Sequence, residues 1–252
     1  MQNISMIFSA IILSLGLVSV GFFGEQAVVQ AKKADRFVTV KGLAEKDVKA
    51  NLGVWEIDYQ EVGNNLAPIS DQLAHDQSTT MDFLLKSGFT QAEISLRPTK
   101  VTDQLATGYN QNNAQAQSNR YIIAGGIRIR STNVDQIQKV SQMTGDLIKQ
   151  GVPLSFNSAD YSSDLSTNPS YFYTTLDSIR PEMLATATQS AKLVAAQFAK
   201  DSDSKLGNIR RANQGVFELR SRDSSGNNSG NEASSINKTV RLVTTIDYYL
   251  AK

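Results

Sequence analysis

The side chains able to do chemistry are few and scattered. His75 is the one histidine, and there is no cysteine. A nitrogen- and sulfur-ligated metal needs several such donors, so none is expected here. The lack of cysteine also excludes disulfides and a thiol nucleophile. On a helix advancing about 100° per residue, His75 falls opposite the stripe Leu66, Ile69 and Leu73, and should face solvent. Asp201-Ser202-Asp203 opens like a calcium loop. Such a loop requires Gly at its sixth position and Glu at its twelfth. Those positions hold Leu206 and Ala212, so a polar turn closing a helix is expected instead. Gly125-Gly126 sits inside a strand pattern with no Lys-Ser/Thr after it, which suits a bulge or a close backbone approach better than a phosphate loop. Arg128 with Arg130, and Arg210 with Arg211, fit a solvated sheet face better than an anion patch on a chain of net charge +1. No serine sits in a nucleophile elbow. Trp55, sharing a strand face with Ile57 and Tyr59, belongs to a core rather than a ligand platform. No catalytic, cofactor-binding or metal-ligating residue is therefore assigned, and the chain is not expected to be an enzyme.

The elements that carry these residues follow from periodicity. Residues 36–59 read as a hairpin. Val38 and Val40 alternate with Phe37, Thr39 and Lys41; Glu45-Lys46-Asp47 forms the turn; Trp55, Ile57 and Tyr59 then face one way, with Glu56, Asp58 and Gln60 the other. A helix is expected over about residues 65–86, capped by Asn64 or Asn65 and stopped by Gly88. Ile94 and Leu96 begin a strand whose far end Pro98 confines to an edge or bulge. Residues 107–119 read as a loop or hairpin tip. The cleanest strand carries Tyr121, Ile123, Ile127 and Ile129. A second helix is expected over about residues 133–150 and a third over about 181–201, the latter with an alanine-rich face of Leu184, Ala187, Ala191, Val194, Ala195 and Phe198. The endings Leu85-Lys86-Ser87-Gly88 and Ile148-Lys149-Gln150-Gly151 suggest two related helix–strand units. Residues 158–170 read as a polar loop, 171–173 as a short strand, and 209–219 as an extended segment with Gly207 and Gly215 as bends or bulges. Residues 221–235 read as a mobile Ser/Asn/Gly loop. The last strand alternates Val240, Leu242, Thr244, Ile246 and Tyr248 against Arg241, Thr245 and Asp247. The expected class is α+β: mostly antiparallel sheet with three amphipathic helices, preceded by one N-terminal apolar helix.

That first helix is the uncharged run of residues 4–23, long enough for one membrane span of about 20 residues. No Lys or Arg precedes it, and it exceeds the usual length of a cleaved signal core. It is taken as an uncleaved anchor in the inner membrane, with cleavage near Val29-Gln30-Ala31 as the alternative. Ordinary apolar (40%) and charged (19%) content allows a sizeable core, and the near-neutral balance gives no case for nucleic acid.

Two blocks, RFVTVKGLAEKDVKANLGVW (residues 36–55) and RPEMLATATQSAKLVAAQFAKDSDSKLGNIRRANQGVF (residues 180–217), resemble the SIMPL-domain family of bacterial envelope proteins. The likeness extends over residues 36–252, the C-terminal strand included. It implies a signal-anchor or transmembrane segment over residues 1–31 and a SIMPL-like α+β domain over residues 32–252, with the domain in the periplasm. It further implies a link, in some members, to oxidative or other stress, and ring- or channel-like homo-oligomers. The family has no agreed catalytic residues, so none is carried over. The function expected is a non-enzymatic envelope protein, an oligomeric scaffold or stress-protective factor. The alternative is a periplasmic binding module or holdase for a small molecule or damaged protein. The partners expected are further copies of the chain and the inner membrane, through residues 4–23.

Overall fold

A computed structural model describes residues 36–106, 119–154, 168–222 and 232–251. The N-terminal apolar run, residues 107–118 of the expected loop 107–119, residues 158–167 of the expected loop 158–170, and residues 223–231 of the polar tract lie outside the described residues. Among the described residues no helix is long and apolar enough to cross a membrane. The chain divides into two compact units: Met1–Glu45, Arg180–Phe217 and Arg241–Lys252 form one, and Lys46–Ile179 with Glu218–Val240 forms the other.

The larger unit is built on β2 (Leu52–Gly63), α1 (Leu66–Lys86), β3 (Ile94–Asp103), β4 (Tyr121–Ser131), α2 (Val134–Ser141), α3 (Gly145–Lys149) and the short β5 (Ser170–Phe172). Its sheet has the order β3-β4-β2-β5, with every pairing antiparallel. After α3 the chain returns beside β2, where Leu154 bridges Tyr59. The path is therefore β-α-β twice over, each helix crossing to a position one strand away: the split β-α-β topology of ferredoxin-like folds. Trp55, Ile57 and Tyr59 of β2 face inward as expected, beside Ile123, Ile127 and Ile129 of β4, and are covered by Ile69, Leu73 and Leu84 of α1 and by Ile137 and Leu147 of the shorter helices. Asn65 caps α1 by accepting from the Ala67 amide.

The two matching helix ends are the same device. Gly88 and Gly151 both take φ +91°. Phe89 N–H donates to the Leu84 carbonyl and Gly88 N–H to that of Leu85; Val152 donates to Leu147 and Gly151 to Ile148. These are Schellman caps, and in each the residue after the glycine is buried. The same bonds close the last helix with Asp203 in the left-handed position at φ 48°, so Asp201-Ser202-Asp203 is the helix-closing turn the sequence implied.

The smaller unit holds most of β1 (Phe37–Lys49), α4 (Leu176–Asp201), β6 (Lys205–Ser221) and β7 (Asn237–Ala251), whose strands form a sheet in the order β1-β7-β6. Within this unit each step along β1 is matched by a step back along β7: Arg36 meets Leu250, Thr39 meets Asp247, and Glu45 meets Arg241. Alpha-helix α4 buries a stripe at every fourth residue, Met183, Ala187, Ala191, Ala195 and Ala199. Ala191 and Ala195 pack with Val40, Ile246 and Tyr248.

Four expectations need correction. β1 and β2 are not a hairpin: they lie in different sheets, and Glu45-Lys46-Asp47 continues β1. Their charged side chains mark a strand face, while the chain turns at Ala50-Asn51. Helices number four among the described residues, because the expected second helix is broken after Ser141. There Met143, Asp146 and Leu147 amides all bond three residues back, the Thr144 hydroxyl bonds to the Ser141 carbonyl, and Gly145 weakens the helix. Alpha-helix α4 begins at Leu176, leaving Pro181 inside it. Val194 and Phe198 are exposed rather than inward, since the true stripe follows a strict four-residue step. Gly207 and Gly215 lie within β6, where a Cβ would press on the Tyr249 and Val243 carbonyls.

One contact tests the smaller unit. A Cβ on Gly42 would lie 1.9 Å from the Ala187 carbonyl oxygen and 2.8 Å from Ala191 Cβ. Gly42→Val should cost at least about 1–3 kcal/mol by overpacking. Gly145, by contrast, has nothing within 4 Å of its Cβ position, so Gly145→Ala should be neutral or stabilise by up to about 1 kcal/mol. Paired denaturant melts check both signs.

Candidate interaction surface

Each chemically capable residue has a plain structural place. His75 is exposed on α1. Trp55 is fully buried in the core. Gly125 makes room for Leu73 and the Tyr59 ring. Arg128 Nε bonds to Glu56 Oε1 at 2.7 Å. Arg210 lies 4.1 Å over the Phe37 ring. The structure brings none of these residues together as a catalytic set.

What it does assemble is surface. β6 runs for 17 residues at the edge of its sheet, and Asn208 through Val216 are all exposed. Typical strands are about 5–6 residues long. Among the described residues no strand pairs with the outer side of β6, which therefore offers an unusually long row of backbone donors and acceptors. Ile209 and Val216 stand out from it, Val216 at 76% exposure. In the same unit, α4 leaves most of its perimeter uncovered because only every fourth residue is buried. Leu193 (67% exposed), Val194 and Phe198 (54%) lie there. Lys205, Arg210, Arg211 and Arg220 give β6 a basic character that limits indiscriminate pairing.

The larger unit carries an ion network on the face of its sheet away from the helices. Asp58 and Arg97 both pair with Gly126, one on each side of it. A Cβ on Gly126 would sit 2.3 Å from Asp58 Oδ1. Glycine thus lets the Asp58 carboxylate lie across the middle strand and reach Arg97 Nη1 at 2.5 and 2.6 Å. Glu56 Oε2 joins at 3.2 Å. The Pro98 irregularity falls just beyond, where the β3–β4 register shifts between Arg97 and Lys100. A shallow hollow of about 330 Å³ opens there, lined by Asp58, Gln60, Arg97, Pro98, Lys100 and Thr102 among others.

On the opposite, helix-covered face lie polar groups that periodicity alone did not single out. Asp76 and Thr80 occupy the inward row of α1 and are buried. Their signal in the sequence was available: both continue the Ile69–Leu73 row. Burial first, then the charges of Asp76 and Asp58, push the Tyr59 phenol up to about 12. Lys238 is buried too, its ammonium held by the Glu232 carbonyl, and burial moves its pKa down.

Partly exposed ion pairs contribute about 0.2–1 kcal/mol each. Arg97 makes two such pairs, so Arg97→Ala should cost no more than about 2 kcal/mol, and less in high salt. Gly126→Ala drives a methyl group into both Asp58 and the Ile57 carbonyl and should cost about 1–3 kcal/mol regardless of salt. Urea melts at low and high ionic strength separate the two.

The model of the family described as SIMPL, Protein of unknown function (DUF541), matches residues 38–244. The match runs from β1 into β7 and takes in residues of both compact units. No curated protein matches the chain.

Proposed function

We propose, from the premise that the chain belongs to the SIMPL family, that it is a non-enzymatic envelope protein working as a homo-oligomeric scaffold, with a protective role under oxidative or other stress. The family itself is one of unknown function. The observation that carries the oligomer is that one unit holds both the edge strand β6 and the uncovered apolar flank of α4. A free strand edge is satisfied when a neighbouring copy adds a strand. A heterologous contact repeated by a fixed rotation closes into a ring. The uncharged run of residues 4–23 supports attachment to the inner membrane with residues 35–252 in the periplasm.

A binding module or holdase is the second reading. The hollow beside Arg97 and Lys100 and the exposed Leu193 and Phe198 favour it. A ligand or client would then raise the melting temperature of the isolated domain.

Light scattering on residues 35–252 should give an oligomeric mass that persists over a wide dilution series. Val216→Lys or Leu193→Lys should shift it towards monomer while leaving far-UV circular dichroism unchanged. A monomer at every concentration would remove the scaffold and leave the binding module. Carbonate extraction of membranes should retain the full-length chain in the pellet. A soluble product beginning near Lys32 would show a cleaved signal instead.

A further inference from the structure

One end of the smaller unit gathers four chain segments. Leu250 N–H donates to the Arg36 carbonyl at 2.8 Å, and the Thr39 hydroxyl bonds to Asp247 at 2.7 Å. These contacts set the start of β1 against the close of β7, with Phe37 and Tyr249 between them. A Cβ on Gly207 would lie 3.1 Å from Tyr249 Cβ, so β6 begins at the same end. The Ser204 amide donates to the Ala199 carbonyl, which brings the last turn of α4 there as well.

This end exposes aromatic rings and basic heads. Phe37 is 42% exposed and Tyr249 37%. The Arg210 guanidinium lies 4.1 Å from the centre of the Phe37 ring and 6.0 Å from that of Tyr249. Arg36, Lys200 and Lys205 are exposed. The acids here are Asp201, which accepts from Gln197, with Asp203 and Asp247. In the sequence, Lys32, Lys33 and Asp35 precede Arg36, and Lys252 follows Ala251. Counted together, seven basic residues stand against four acidic ones, a surplus of +3 in a chain whose net charge is +1.

Aromatic rings beside Lys and Arg make up the composition of a membrane–water interface. Rings sit at headgroup depth, while long basic side chains lay their stems on apolar surface and reach phosphate with their charge. Chain length puts a bilayer within reach. Residues 24–35 separate the apolar run from Arg36, and twelve residues span at most about 40 Å.

We propose that this end of the unit docks onto the surface of an anionic bilayer, with Phe37, Tyr249 and Arg210 at headgroup depth and Lys205 on phosphate. The proposal rests on the reading of residues 4–23 as a membrane anchor. It goes further in holding the folded unit against the lipid, where an anchor alone leaves it on a tether. The attraction is screened by salt. It weakens about fivefold for each basic residue neutralised.

The chain has no cysteine, so a single introduced thiol can carry a polarity-sensitive dye on the full-length protein. Ala251→Cys reports the docking end. Gln214→Cys, exposed and nine positions along β6 from Lys205, is the control. The vesicles are phosphatidylcholine alone or phosphatidylcholine with phosphatidylglycerol. Flotation after a carbonate wash reads the anchor, and the dye reads docking. The dye at Ala251→Cys should shift to the blue on phosphatidylglycerol vesicles only, with the control unchanged. High salt, or Lys205→Gln combined with Arg210→Gln, should reverse the shift. An aqueous spectrum from a chain that floats would overturn docking and leave the anchor standing. A chain removed by carbonate would sink the anchor; docking then survives only if flotation without the wash still requires phosphatidylglycerol, and falls otherwise. A shift of equal size on both vesicle types would also overturn it. So would one seen in detergent that grows with protein concentration, which would give this end to a second copy of the chain.

Discussion

The closeness of one helix to one strand governs the smaller unit. Alpha-helix α4 lies so near β1 that Gly42 has no room for a side chain, and the helix can present only alanine at Ala187 and Ala191. Small residues permit this approach, but they bury little area each. The rest of the helix perimeter is left to solvent. Leu193, Val194 and Phe198 lie in that exposed part. The same economy holds along β6, where glycines 207 and 215 let the β7 backbone come near while most of the strand stays uncovered. Exposed apolar groups and an open edge thus share one origin: a unit whose layers are thin.

The larger unit solves a different problem with a similar residue. Its sheet is covered on one face, so the other must be tolerable to water. Asp58, Arg97, Glu56 and Arg128 neutralise each other across three strands, and Gly126 leaves the gap through which the middle pair meets. These pairs are partly exposed, so they contribute little to stability. They contribute more to register, since a one-residue slip would turn the carboxylates into the core. On the covered face the balance is reversed. There Asp76 and the Tyr59 hydroxyl are buried with no ion pair among the described residues.

Local period explains which parts were legible in the sequence. Trp55, Ile57 and Tyr59, the β4 isoleucines, the Asn65 cap and the Gly88 and Gly151 stops all declare themselves within a few residues, and all stand where expected. Long-range partners do not declare themselves. Glu45-Lys46-Asp47 looks like a turn until β7 is seen beside β1. Arg97 reads as one more surface cation, because Asp58 lies 39 positions away. Asp76 continues an apolar row, where a carboxylate is rarely buried. The buried face of α4 is narrower than hydrophobicity alone suggests, because Val194 and Phe198 are exposed.

The order of strands β1-β7-β6 bears on how the chain comes to be folded. Its middle strand is the last one made. Thr39 and its partner Asp247 are 208 positions apart, so β1 has no neighbour in its sheet until β7 has been made. The split β-α-β elements of the larger unit, from β2 through β5, need far shorter loops closed. Synthesis therefore delivers a chain whose interior segment can condense early while its first strand waits, open, for the final fifteen-residue strand.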